Sequence, residues 1–221
     1  MSSIMSYLTG FGLAGGAGTK AFIPVLLLGG LHYTKYVELS ESFRWIADPA
    51  VMVVLGILLV LEIVVDAHPE LGHYADTVAY LPKFAAGFIG FAAAVGTVDE
   101  NLMALGGSGL LGGGTAAGLH WLRNTIRKPF RDAAEHLHEG VGKAASLSEA
   151  GASATLAGTA VVAPPVSLLL VGVFTLGALA VARSIDNRRK ECIHCGEPIR
   201  PAAVVCPHCG RDQVEAEAPA G

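Results

Sequence analysis

The sequence predicts an all-α fold: a polytopic membrane helix bundle with an inverted repeat of glycine-rich helix pairs, followed by a small C-terminal cysteine module. Three observations predict it. Hydrophobic residues make up 52% of 221 residues and charged residues 15%, with a mean hydropathy of +0.52, whereas soluble domains carry about 25% charge. The run GFGLAGGAGT (10–19) returns as GSGLLGGGTA (107–116), and each copy is followed by a proline-led apolar span, ADPAVMVVLGIL (47–58) and APPVSLLLVGVF (163–174). All four cysteines lie within 18 residues of one another near the C-terminus. An odd number of crossings between the copies would invert one half relative to the other, the plan of many transporters.

Five segments approach the roughly 20 apolar residues that span a bilayer. They are Gly10 to Gly30, Pro49 to Val65, Val78 to Val98, Leu102 to Leu122 and Pro165 to Ala182. The first carries Lys20, the third is interrupted by Pro82 and Lys83, and the fourth is glycine-rich enough for a re-entrant or broken helix. The chain has 28 glycines, and in lipid glycine lets helix backbones approach closely. MSSIMSYLTG has no basic n-region or cleavage site, so the first segment is expected to be retained. The membrane domain is predicted over residues 1–186.

An amphipathic helix near 123–141 follows the fourth segment, with Ile126, Phe130, Ala134, Leu137 and Val141 on one face. It is expected to lie on the membrane surface. Residues 142–163 are small and polar and read as a flexible approach to the last span. Glu135 and His138 form an E-x-x-H pair, which without partner carboxylates reads as a solvated face.

Lysine and arginine gather after the fourth segment (Arg123, Arg127, Lys128, Arg131, Lys143) and after the fifth (Arg183, Arg188, Arg189, Lys190). Basic flanks belong on the cytoplasmic side. With five crossings the two groups fall on opposite faces, so either one segment is re-entrant or one group breaks the rule. The expected location is the inner (plasma) membrane with the C-terminus in the cytoplasm, where a reducing milieu keeps thiols free.

Cys192, Cys195, Cys206 and Cys209 form two C-x2-C pairs, each followed by glycine, at Gly196 and Gly210. Four soft ligands at this spacing suit a structural Zn2+ with four thiolates, and a disulfide-bonded mini-domain is the weaker alternative. His194 and His208 are expected to be exposed knuckle residues. The segment resembles the short zinc-ribbon modules at the ends of many bacterial membrane and regulatory proteins. A ribbon over 187–212 would fold only around its ion, and 213–221 reads as a disordered tail. Arg188, Arg189, Lys190, Arg200 and Arg211 could form a basic face, but without interleaved aromatics nucleic acid is not the expected partner.

Within the membrane segments, Lys20 and Glu62 stand out, because an unpaired charge at that depth costs several kcal/mol and such groups are usually partnered and functional. Counted along a helical hairpin, their depths agree within about one turn, so a Lys20–Glu62 pair is possible; otherwise Lys20 snorkels and Glu62 is wet. Asp66 lies one turn beyond Glu62, and His120 and Arg123 are the nearest ionisable groups of the later half. Gly12, Gly15, Gly16, Gly109, Gly112 and Gly113 read as helix-packing positions or as half-helix starts presenting N–H groups to an anion.

The stretch GGAGTKAFIPVLLLGG, then LEIVVDAHPELGHYADTVAYLP, then a glycine-rich block running into a basic helix, resembles the bacterial integral-membrane family called domain of unknown function 4126. The resemblance covers roughly Leu8 to Arg183, and is carried by Lys20, Glu62, Asp66, Pro69, Asp76 and Pro82. Ala67 departs from it, standing where the family often has lysine. It implies the membrane architecture and no particular activity.

Two functions are expected. One is a small oligomeric channel or transporter for an ion or small solute, embedded in the lipid bilayer. The alternative is a membrane-anchored scaffold presenting the ribbon to a cytoplasmic protein. Catalysis is not expected: no nucleophile has an adjacent base, and GGAGTK lies inside an apolar span rather than after a strand.

Overall fold

A computed structural model describes residues 3–34, 36–68, 76–96, 101–134, 140–186, 189–199 and 203–213. The chain divides into a helical unit, Met1–Ala178, and a second unit, Leu179–Gly221. The helices are α1 (Ser3–Thr19), α2 (Phe22–His32), α3 (Pro49–Ala67), α4 (Tyr80–Gly96), α5 (Leu102–Ala134), α6 (Gly140–Val162) and α7 (Pro164–Asp186), with a 3-10 helix at Glu41–Ala47. Among the described residues, three helical stretches are long and apolar enough to cross a membrane: Pro49–Ala67, Asp76–Gly96 and Pro164–Ser184.

The first apolar segment is not one helix. Proline lacks an N–H and its ring collides with the carbonyl four residues back; for Pro24 that carbonyl is Lys20. The helix therefore stops at Thr19 and restarts at Phe22, placing Pro24 in the first turn of α2, where no N–H is needed. α2 then folds back beside α1. A methyl placed on Gly16 would sit 3.0 Å from Pro24 Cγ, although eight residues of straight helix rise about 12 Å. The expected crossing at Gly10 to Gly30 is thus a hairpin with its tip at Lys20 and Ala21.

A second fold-back joins α6 and α7 at Ala163, where Pro164 and Pro165 stop one helix and open the next. A methyl on Gly12 would collide with both Ala160 Cβ, at 2.6 Å, and Ser167 Cβ, at 2.9 Å; these positions would lie about 10 Å apart along a single helix. α6 occupies residues expected to be flexible. Its threonines satisfy themselves inside the helix, as Thr155 Oγ1 donates to Gly151 O at 2.9 Å and Thr159 Oγ1 to Thr155 O at 2.8 Å, while Ser146 and Ser153 donate to Ile63 O and Gly16 O of neighbouring helices. Its small residues let it lie against α1.

α5 runs unbroken through the predicted boundary at Arg123 as far as Ala134. The expected surface helix is therefore, over these residues, the continuation of the fourth segment. Glu135 and His138, and the tail beyond Gln213, lie outside the described residues.

α1 is the centre of the bundle, packed on α4, α5 and α6, with Leu13, Ala14 and Ala17 fully buried. It is antiparallel to α4, since Gly10 meets Phe91 and Thr19 O accepts from Lys83 Nζ. α5 is also antiparallel to α4, with Gly109 against Phe88 and Gly113 against Phe84. The two glycine-rich runs therefore point the same way, and the inverted relation expected from the sequence is not seen. The fold-back at Lys20, which lies between the two runs, changes the parity on which that expectation rested.

The six singled-out glycines lie inside α1 and α5, not at helix starts, and added methyl groups there would meet neighbouring helices. At Gly112 the methyl would run into Gly87 O and Phe91 Cβ. Gly112→Ala is expected to cost about 1–3 kcal/mol through overpacking. Gly56 on α3 has nothing within 4 Å, so Gly56→Ala should leave the melting temperature in detergent unchanged or raised.

α3 is peripheral, with no buried residue. Asp48 caps it, its Oδ1 accepting from Ala50 N at 2.8 Å. Val53, Ile57, Val60, Leu61 and Val64 are exposed, an apolar surface fit for lipid.

Candidate functional site

Charged side chains from four helices, α3 to α6, converge on the α1–α2 tip at Lys20. Lys20 is fully buried; its Nζ lies 2.5 Å from Asp66 Oδ2 and donates to Ser146 Oγ at 3.1 Å. Glu149 on α6 is 4.0 Å from the same nitrogen. Arg123 on α5 reaches both carboxylates, Asp66 at 2.8 Å and Glu149 at 2.5 Å, and stands 4.0 Å from Asp76. Arg127, one turn on, lies 3.6 Å from Asp66 and 3.5 Å from Glu149, and donates to Asp66 O at 2.6 Å.

Glu62 and Lys83 form the other half of the network, 3.2 Å apart. Each holds one side of the helix break. Lys83 Nζ donates to Thr19 O, the last carbonyl of α1, at 2.5 Å. Both Glu62 oxygens accept from Ala21 N, at 3.1 and 3.0 Å, where the partial positive charge of the α2 N-terminus favours a carboxylate. Ser153 Oγ bonds Gly16 O at 2.9 Å and lies 3.4 Å from Lys20 O, the carbonyl that Pro24 leaves without its usual donor. Broken backbone inside a membrane protein survives where such groups re-satisfy it.

Four cations, Lys20, Lys83, Arg123 and Arg127, thus face four carboxylates, Glu62, Asp66, Asp76 and Glu149. The balance lets eight charges share a site that would tolerate none alone. His120, also fully buried, adjoins it. Its Nε2 lies 2.9 Å from Asp76 O and 3.1 Å from Asn124 Nδ2. Tyr80 packs edge-on against the ring at 4.6 Å, and Asn124 Oδ1 accepts from Arg123 at 3.2 Å.

Lys20, Glu62, Asp66, His120 and Arg123 are therefore gathered in one region, but with exchanged partners. Lys20 takes Asp66, and Glu62 takes Lys83. Depth counted along straight helices pointed one turn away, because the chain folds back at Lys20. The candidate polar site read from the sequence left out Lys83, Asp76, Arg127, Ser146 and Glu149, although Lys83 was noted within the third segment, Arg127 in a basic group and Asp76 in the family resemblance. A lysine within an apolar run was the available signal for Lys83; the others lie in stretches read as loop, surface helix or flexible segment.

The second unit holds the cysteines. β1 (Lys190–Glu191) pairs antiparallel with β2 (Pro198–Ile199), and two turns repeat one geometry. Gly196 N bonds Cys192 O at 3.0 Å and Gly210 N bonds Cys206 O at 2.8 Å. Both glycines have positive φ, 72° and 68°, where a side chain would be strained. His194 N and His208 N each donate to the preceding knuckle sulfur, Cys192 and Cys206, at 3.4 Å.

The four sulfurs lie within 4.8 Å of one another, with Cys192–Cys209 at 3.8 Å and Cys195–Cys206 at 3.7 Å. A regular tetrahedron with metal–sulfur bonds of about 2.3 Å has edges of about 3.8 Å, so the donor set fits a tetrahedral thiophilic ion. Burial acts to raise the Cys192 thiol, but N–H groups donated by His194 and Cys195 and the neighbouring thiols bring it down to about 5. Cys195, against a lowering contact from the Glu197 N–H, is pushed up to about 12 by burial and its crowded neighbours. A divalent cation removes the opposition to four adjacent thiolates. His194 and His208 are exposed and lie outside the cluster.

The profile of the family described as Domain of unknown function (DUF4126) matches residues 7–184. No curated protein and no solved structure matches the chain.

Proposed function

Since the chain belongs to the DUF4126 family, whose region contains the whole buried charge network, we propose that it is a membrane transport protein for an ion or small solute. The charge network at the α1–α2 tip is its working centre. The observation that carries this is the broken helix: discontinuous helices with half-helix ends held by charged groups mark the binding sites of many transporters. A purely structural bundle has no need of eight charges around a backbone break.

Fold-back at Ala163 also supports an orientation. Two helices, α6 and α7, separate the basic residues ending α5 from those following α7 in the chain, and an even number of crossings supports one face for both groups. That removes the conflict between the two basic groups and favours this face as cytoplasmic. In this reading the protein sits in the plasma membrane with its C-terminus inside, and further copies or lipid cover the exposed face of α3. Zinc is the proposed occupant of the cysteines, in a structural role.

Flux into proteoliposomes tests the proposal. Wild type is expected to pass at least one member of a broad ion and solute panel, while Lys20→Ala and Glu62→Gln, assembled as wild type by size-exclusion profile, lose that flux. A well-folded wild type that passes nothing would sink it. The scaffold alternative is supported by the ribbon forming its own compact unit; it predicts instead that the charge variants are tolerated in the cell and Cys206→Ser is not.

A further inference from the structure

We propose that the two tryptophans of the chain mark the two membrane–water interfaces, Trp45 on one side and Trp121 on the other. The chain from Tyr36 to Asp48 then forms, with Tyr33, a collar whose partner is the lipid headgroup layer. The charge network lies at the opposite boundary of the hydrocarbon rather than at its midplane. Trp45 is 46% exposed and Trp121 57%, so both rings are open to whatever surrounds the bundle. The placement stands with or without transport.

The collar is two-sided. Leu39, Ile46 and Ala47 are buried, with Ile46 O against Gly29 of α2 and Phe43 against Gly96 of α4. Tyr33 Oη donates to Ala47 O and ties the start of the segment to its end. The outer side carries Tyr33, Tyr36 and Trp45 among Glu38, Glu41, Arg44 and Asp48, all exposed. The charges keep this side out of the hydrocarbon, while rings with an apolar body and a polar tip gather at headgroup level. α3 starts at once after Asp48, and its exposed Val53, Ile57, Val60 and Leu61 suit the hydrocarbon beyond.

Two helices measure the distance from the collar to the network. α3, with Glu62 and Asp66 in its last two turns, has 19 residues, about 28 Å of helix. The stretch Asp76–Gly96 has 21 residues, about 30 Å, and runs from beside Arg123 to the collar. Both lengths match the roughly 30 Å of a hydrocarbon core. Trp121 stands about 3 Å along α5 from Arg123, at the network's level. Beyond it α5 continues to Ala134 through Arg127, Lys128, Arg131 and Asp132, a sequence hydrocarbon does not hold. Glu62 and Arg127 are each 12% exposed and Glu149 19%; at the midplane that exposure would set charge against lipid tails, and at the boundary it meets water. The apolar seal of the bundle then lies between network and collar, where Leu13, Ala14 and Phe91 are fully buried.

The chain has two tryptophans, so Trp45→Phe and Trp121→Phe each leave one fluorescent reporter in the full protein. In bilayers of lipid brominated either near the headgroup or near the chain end, each remaining tryptophan should be quenched more by the shallow bromines than by the deep ones. Wild-type emission, the sum of both, should show the same order even if a variant fails to assemble. On intact cells, Thr34→Cys and Thr125→Cys should react with a membrane-impermeant maleimide from opposite sides. Deeper quenching of Trp121 would put the network at the midplane and overturn the proposal. Trp45 quenched by neither lipid would leave the collar in water, and labelling of both cysteines from one side would remove the second interface; either result overturns it as well. Shallow tryptophans in a protein that passes no solute would refute transport and leave this placement intact, and flux with Trp121 deep would do the reverse.

Discussion

Lys83→Met should lower the stability of the helical unit by about 3–5 kcal/mol, the usual cost of removing one member of a buried ion pair. Methionine keeps much of the stem volume and removes only the ammonium. Two groups then lose their partner at once: the Glu62 carboxylate, left facing the remaining helices without its cation, and Thr19 O at the end of α1. Thermal melting in detergent should show a drop of many degrees. Combining Lys83→Met with Glu62→Gln should recover a large part of it, because the amide still accepts from Ala21 N and no orphaned charge remains. Losses that simply add would mean that the two residues do not act as a pair.

Removing the metal should abolish the second unit's fold altogether. Its buried centre is little more than Cys192, Ile199 and Cys206, and metal binding supplies about 10–16 kcal/mol in comparable zinc modules. Cys206→Ser, or a strong chelator, should take the metal content from about one ion per chain to none and make residues 189–213 protease-sensitive. The melting of Met1–Ala178 should be unaffected. Full metal content in the serine variant, or an intact ribbon after chelation, would show that the four sulfurs are not the site.

The two kinds of helix in this bundle were unequally legible in sequence. α3 announces itself through Asp48 and Pro49 at its start and an unbroken apolar run behind them, and the cysteine knuckles through spacing and glycine. The break at Lys20 was also written in the chain, in Pro24 four residues on. Averaged hydropathy hid it, since both arms of the hairpin are apolar. α6 was harder: alanine, glycine, serine and threonine in water read as flexible, yet in a bundle the threonine hydroxyls turn to their own helix, Ser146 and Ser153 reach carbonyls of neighbouring helices, and their size allows close approach to α1. Missing that helix also left one helix out of the count between the two basic groups. Partners in the charge network were beyond reach for the same reason, because Lys83, Arg127 and Glu149 come together only after both fold-backs are made.

Everything proposed for the charges depends on the first apolar segment turning round inside the membrane. Ser3 and Thr34 flank it, and both are exposed. Single cysteines at these positions, treated with a membrane-impermeant maleimide on intact cells and again after permeabilisation, report the side each one occupies. The account predicts that Ser3→Cys and Thr34→Cys label alike, from one face of the membrane. Labelling of one from outside and of the other only after permeabilisation would mean a crossing helix with Lys20 in its middle, and would contradict the hairpin and the place of the Glu62–Lys83 pair at its tip.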